Sequence, residues 1–188
     1  MKKALLLIDI QNDYFAGGRN QLVNAEQAAE KAKQALDFFR KNQLPVFHVQ
    51  HINLQESATF FLPNSDGCKI NASVFPEQNE AVIIKHTPDS FFQTELNEQL
   101  AAQGIKQIFV CGMMSHMCID TSVRAAKRLG YNVKLIADAC ATKDLVWIGE
   151  TIPAETVHNT FMASLKGTFA EVICEHDIKK QFSQEQAR

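Results

Sequence analysis

The sequence predicts a three-layer α/β/α domain organised on a six-stranded, mostly parallel sheet. Two observations lead there. Short apolar runs alternate with amphipathic helical stretches along the chain, a pattern that gives parallel strands joined by right-handed crossover helices. The first run, Ala4–Ile10, is almost continuously apolar, as a strand covered on both faces must be. At 188 residues the chain fits one domain, residues 1–188, able to bury a sizeable core.

Each element has its own local reason. Ala4–Ile10 is the first strand. Asn24 with Gln27 three residues later resembles a capping box and opens a helix to about Asn42, whose apolar stripe is Ala28, Ala32, Ala35, Leu36 and Phe39. Pro45–Gln50 is the second strand and Ala81–Lys85 the third. Ser90 with Gln93 opens a helix that closes near Gly104. Lys106–Cys111 is the fourth strand, leading through Gly112 into a helix that ends at Gly130. Asn132–Ala137 is the fifth strand. Pro153, at a first helical position, starts a helix ending near Gly167, and Phe169–Cys174 is the sixth strand. Two long irregular segments, 52–80 and 141–152, read as lids or binding loops, either able to hide a short hairpin. The first carries Phe60-Phe61 and the second the only tryptophan, Trp147; each suits a pocket wall or a subunit contact equally.

Bulk properties narrow the function. A formal net charge of −2 leaves no basic stripe for nucleic acid, and no apolar run approaches membrane-spanning length. Lys2-Lys3 ahead of an apolar run resembles a secretory leader, but Asp9 interrupts that run too early. The five cysteines (68, 111, 118, 140 and 174) are odd in number and form no CxxC pair. That fits a cytoplasmic location better than a disulfide scaffold or a structural zinc site. Cys111 and Cys174 sit in apolar strand patterns and read as buried packing residues.

Cys118 is different. The segment Val110–Cys118 passes from a buried strand through Gly112 into the first turn of a helix. Backbone N–H groups at a helix start favour an anion, and the thiolate is the nucleophilic form of cysteine. Ligands of parallel α/β sheets bind at the carboxyl ends of the strands. Asp9 closes the first strand, Lys85 closes the third, and Cys118 follows the fourth, so all three converge if those strands are neighbours. Singly, a loop cap, a solvated lysine and a packed cysteine are the plainer readings. Three strands each ending in a chemically useful residue are harder to obtain by accident.

The histidines divide. His116, two residues before Cys118, does not share its helix face but can line the pocket. His86 follows Lys85 and points to the other side, and His158, spaced with Ala154 and Phe161, reads as a packed, hydrogen-bonded histidine. His48, Gln50 and His51 end the second strand without a carboxylate at ligand spacing. Gly17-Gly18 lacks the spacing of a phosphate cradle. Neither a metal nor a nucleotide cofactor is expected.

The stretch Leu7-Ile8-Asp9-Ile10-Gln11-Asn12-Asp13-Tyr14-Phe15, Lys85 with Ser90-Phe91, and Gly112-Met113-Met114-Ser115-His116-Met117-Cys118 together resemble the isochorismatase-like cysteine hydrolases, a superfamily that includes nicotinamidases. The resemblance implies the same six-stranded fold and an Asp–Lys–Cys triad at Asp9, Lys85 and Cys118. It implies a cis peptide at Met113–Met114 and an oxyanion hole from the backbone N–H groups of Met114 and Cys118. Nicotinamidases carry a metal-binding Asp-x-His after the second strand; Gln50-His51-Ile52 stands here, so no metal is implied. Retention of Cys118 points to cleavage of a small amide through a thioester. The alternatives are vinyl-ether hydrolysis, which needs no cysteine, and a non-catalytic binding protein of the same fold. Gln11, Phe15, His116 and Trp147 are the expected substrate contacts, within an apolar wall that can include Tyr14, Phe60, Phe61, Phe91 and Phe92. The expected partners are a small-molecule substrate and further copies of the chain, as a dimer or tetramer.

Overall fold

A computed structural model describes residues 1–183. Its strands are β1 (Lys3–Ile8), β2 (Val46–His51), β3 (Ala81–Lys85), β4 (Gln107–Met113), β5 (Asn132–Ala141), β6 (Leu145–Trp147), β7 (Glu150–Ile152) and β8 (Glu171–Ile173). Its helices are α1 (Ala25–Lys41), α2 (Leu96–Ala102), α3 (Asp120–Arg128), α4 (Ala154–Leu165) and α5 (Ile178–Ser183). Six strands form one sheet in the order β3-β2-β1-β4-β5-β8, every neighbouring pair parallel. The expected six-stranded parallel α/β/α architecture is therefore the observed one.

The alternation of β1 explains the layers. Leu5 and Leu7 face one core with Ala28, Ala32, Ala35, Leu36 and Phe39 of α1. Ala4, Leu6 and Ile8 face the other with Leu100 of α2, Val123 and Ala126 of α3, and Met162 of α4. Each large aliphatic side chain buried this way contributes about 1.5–3 kcal/mol, so a polar residue inside the run would be costly. The strand order reverses direction between β1 and β4. Such a switch point opens a crevice at the strands' carboxyl ends, and Asp9 and Cys118 follow those two strands.

Several boundaries differ from expectation. Asn24 takes a left-handed conformation (φ 59°) and makes no side-chain capping bond; only its carbonyl accepts from Ala28 N–H. Ser90 does not start a helix. It is buried against α3, where Ser122 Oγ donates to its hydroxyl at 2.8 Å, and α2 begins only at Leu96. Pro153 precedes α4 with extended ψ (145°), and Asp144 Oδ1 caps the helix by accepting from Ala154 N–H at 2.7 Å. β5 continues to Ala141, and segment 141–152 holds a hairpin of β6 and β7. Cys174 lies just past β8, half-buried rather than in a core. Between β4 and α3, residues Ser115–Ile119 form a wide π-type turn.

Candidate active site

The register brings the strand ends level. Ile8 lies opposite Gly112, and His51 opposite Lys85. Gly112 (φ 131°) is obligatory, because a Cβ there would meet Ile8 O at 2.0 Å. Asp9 follows β1 in a left-handed conformation (φ 53°), and its N–H donates to Val49 O. Lys85 starts two strands away on edge strand β3 and reaches across β2, which requires a long side chain. Its Nζ lies 2.7 Å from Asp9 Oδ2 and 3.3 Å from Cys118 Sγ. It also lies 3.0 Å from His51 Nδ1 and 3.0 Å from Thr87 O, to which it donates. The Met113–Met114 peptide is cis, and Met114 O accepts from both Met117 and Ile119 N–H. Cys118 is seated in that turn with 3% of its surface exposed.

Burial governs the electrostatics. It pushes the Asp9 carboxyl up, with Lys85 pulling partly back. It works against the Lys85 ammonium too, but Asp9 and Cys118 outweigh it and hold Lys85 above its ordinary range. Burial and then the Asp9 charge push the Cys118 thiol up, against the pull of Lys85. The turn and Lys85 therefore do not leave Cys118 as a resting thiolate. One buried ammonium balances one buried anion, and Asp9 is nearer. His51 is driven down to about 3 by burial and Lys85; being neutral, its Nδ1 accepts from Lys85. Asp9 is fully buried, and its carboxylate is hydrogen-bonded by both Lys85 and Cys118.

Asp9, His51 and Cys118 offer ligand atoms within 4.8 Å of one another, a donor set that suits a metal chemically. The Lys85 ammonium, however, is within 4.0 Å of Asp9 and at bonding distance of His51 and Cys118, so a cation entering there would have to displace it.

The remaining expected contacts separate. Gln11 is fully buried and its carboxamide is spent on the protein: Nε2 donates to His51 O (2.8 Å) and Cys68 O (2.7 Å), and Oε1 accepts from His51 N–H (2.8 Å). It shapes the site rather than facing it. Phe15 is half-buried against the core. His116 is half-buried, its Nδ1 2.6 Å from Thr142 Oγ1. Trp147 is 70% exposed on the β6–β7 hairpin beside Val146 and Ile148. Phe92 is likewise exposed, while Phe91 packs on Tyr131. The aromatic wall is Tyr14, Phe60 and Phe61, with ring centroids 4.6 Å (Tyr14–Phe61) and 4.9 Å (Phe60–Phe61) apart, and Phe61 lies 5.9 Å from the His51 ring. Asp13 holds this wall by accepting from Phe61 N–H at 2.7 Å.

His158 is hydrogen-bonded, Nδ1 2.8 Å from Ser115 Oγ, and His86 turns away to Ile52 O. His48 is taken by Glu80 at 2.8 Å. His51 is the site residue that sequence reasoning weighed only as a metal ligand. Its signal is its place at the carboxyl end of an inner strand.

Comparison with known proteins agrees with this geometry. A family model for the isochorismatase domain matches residues 3–177. An uncharacterised isochorismatase family protein of Bacillus subtilis (strain 168), YddQ, is 52% identical over 172 residues, covering 92% of this chain and 96% of that one. A solved structure from Oleispira antarctica, assigned to the isochorismatase hydrolases, superposes with a TM-score of 0.91 at 46% identity, covering 94% of this chain and 95% of the other. Nicotinamidase 3 of Arabidopsis thaliana is 27% identical over 151 residues, covering 74% and 73% of the two chains. With the family model spanning most of its length and relatives at this level of identity, the chain belongs to the isochorismatase family of hydrolases.

Proposed function

We propose that the protein hydrolyses a C–N bond of a small amide, with Cys118 as nucleophile, Asp9 as proton carrier and Lys85 as the charge that holds them in balance. The observation that carries this reading is one buried cluster in which the Lys85 ammonium touches both Asp9 and Cys118 and the Cys118 thiol is hydrogen-bonded to the Asp9 carboxylate. A carboxylate so placed is positioned to take the thiol proton. Among the relatives, nicotinamidase 3 is an amidase by name.

Because the resting thiol is pushed up, Asp9 removes its proton as Sγ attacks the acyl carbon. The C–S bond forms and the carbonyl electron pair moves to oxygen. The Met114 and Cys118 N–H groups receive that oxyanion, each such donor contributing about 3 kcal/mol. Collapse breaks the C–N bond, and Asp9 returns the proton to the departing amine. Asp9 next takes a proton from water, which attacks the thioester. The second collapse releases the carboxylic acid and restores the Cys118 thiol. Lys85 keeps its charge throughout, held by Thr87 O and neutral His51.

The test is ammonia release from a panel of small amides by the wild type and Cys118→Ala, with mass spectrometry of the quenched enzyme. The expected result is an acyl adduct on Cys118 and loss of turnover in the variant. Full activity of Cys118→Ala, or vinyl-ether cleavage that survives it, would overturn the thioester route.

A further inference from the structure

A second group of ligand-bearing side chains lies away from the catalytic crevice, where β5 and β8 end side by side. Asp138 is on the last part of β5, Cys174 is the first residue after β8, and His176 is in the short turn Glu175–Asp177. Pairing of Ile136 with Ile173 sets these ends level, and Glu175 N–H donates to Asp138 Oδ1 at 2.8 Å, which ties the turn to the strand. One ligand atom from each of Asp138, Cys174 and His176 lies within 4.8 Å of the other two.

We propose that Asp138, Cys174 and His176 form a binding site for a borderline-soft divalent cation of the zinc type, independent of the catalytic reading. Thiolate, imidazole and carboxylate are the three donor classes that zinc takes, with a fourth position left for water. Zinc bond lengths of about 2.0–2.3 Å set tetrahedral ligand spacings of about 3.5 Å. His176 is exposed, its Nε2 3.6 Å from Asp177 Oδ1, and binding would draw its imidazole from there to such a spacing. Binding replaces the Cys174 thiol proton by the metal and releases that proton to solvent.

Comparison with the active-site trio sharpens the assignment. There, a lysine ammonium already serves as the cation between Asp9, His51 and Cys118. Here the nearby lysines pair with other carboxylates: Lys31 is 3.9 Å from Glu175, from where its charge also reaches Cys174, and Lys180 is 2.9 Å from Asp177. Among the described residues no lysine or arginine pairs with Asp138. An ion held there would join β5 to the chain segment that leads into α5.

Cobalt(II) is the probe, titrated into the full-length reduced protein and followed by its thiolate charge-transfer absorption, with zinc as competitor. The expected result is a band that saturates at about one ion per chain and is bleached by zinc. It should persist in Cys118→Ser and disappear in Cys174→Ser, with affinity at least ~10-fold weaker in His176→Ala and Asp138→Asn. His176 is exposed, so its substitution leaves the fold intact, checked by circular dichroism. Absence of the band in the wild type would overturn the proposal. So would a band lost in Cys118→Ser but kept in Cys174→Ser, or unchanged affinity in His176→Ala. Because Cys118→Ser removes the proposed nucleophile and leaves this trio whole, failure of the hydrolase reading and failure of the metal site are distinguishable.

Discussion

Replacing Lys85 by Met keeps a long apolar stem and deletes the ammonium that touches Asp9. The two groups are 2.7 Å apart and neither side chain is exposed. At an effective dielectric constant of about 20 their attraction is about 6 kcal/mol, and removing one partner of such a buried pair typically costs about 3–5 kcal/mol. The Asp9 carboxyl can escape part of that cost by keeping its proton. Its pKa is already raised in the folded protein because burial outweighs Lys85, so the folded state binds this proton more tightly than the unfolded chain. Its contribution to stability therefore falls as pH rises from the ordinary value of 3.8 through the folded one. Without Lys85 the folded value climbs further, and the fall continues to higher pH at up to about 1.4 kcal/mol per pH unit. Lys85 itself is held above its ordinary range; its own contribution is fully present below the unfolded value of 10.5 and lost only as pH rises through the folded one. Urea unfolding of wild type and Lys85→Met at about pH 5 and about pH 8 reads the difference. The expected loss is about 3–5 kcal/mol at the higher pH and clearly smaller at the lower. Equal losses at both would refute the reasoning, since they would make Lys85 a packing residue rather than a counter-charge.

Four further outcomes rest on the same geometry. Cys118 should alkylate with iodoacetamide more slowly than a free cysteine at neutral pH and faster as pH rises, because burial and Asp9 push its thiol up. Asp9→Asn should speed that alkylation severalfold, the larger thiolate fraction outweighing its lower nucleophilicity, while abolishing turnover, and slower alkylation in the variant would contradict the charge assignment. Gly112→Ala should lower stability by several kcal/mol (~3 or more), seen as a fall in Tm, since its Cβ would lie 2.0 Å from Ile8 O; an unchanged Tm would show that β1 and β4 can separate. Gln11→Ala should cost about 3 kcal/mol, about 1 for each lost hydrogen bond to His51 and Cys68, with faster proteolysis inside segment 52–68; a variant of normal stability and raised KM would instead make Gln11 a substrate contact.

How much was legible in the chain depended on how local the cause was. A strand buried on both faces must be apolar throughout, so Ala4–Ile10 announced the sheet and Asp9 marked where β1 stopped. The same logic made Lys85 and the Gly112–Cys118 turn visible as strand ends. Helix starts were less legible. Asn24 and Ser90 are good caps in isolation, but a left-handed backbone at one and a buried bond to Ser122 at the other removed them from that role.

Burial patterns within a few residues of each position were enough to place the layers, the strands' carboxyl ends and the three residues that meet there. Contacts distant in the chain set the rest. Gln11 braces His51 and Cys68 across 40 and 57 residues of chain, which no local pattern records. Trp147 stands largely in solvent on a hairpin made by the β6–β7 pairing. The protonation of Cys118 was decided by distant contacts too. The π-type turn and Lys85 favour a thiolate, but in a buried site a single ammonium stabilises a single anion, and Asp9 has first claim on it.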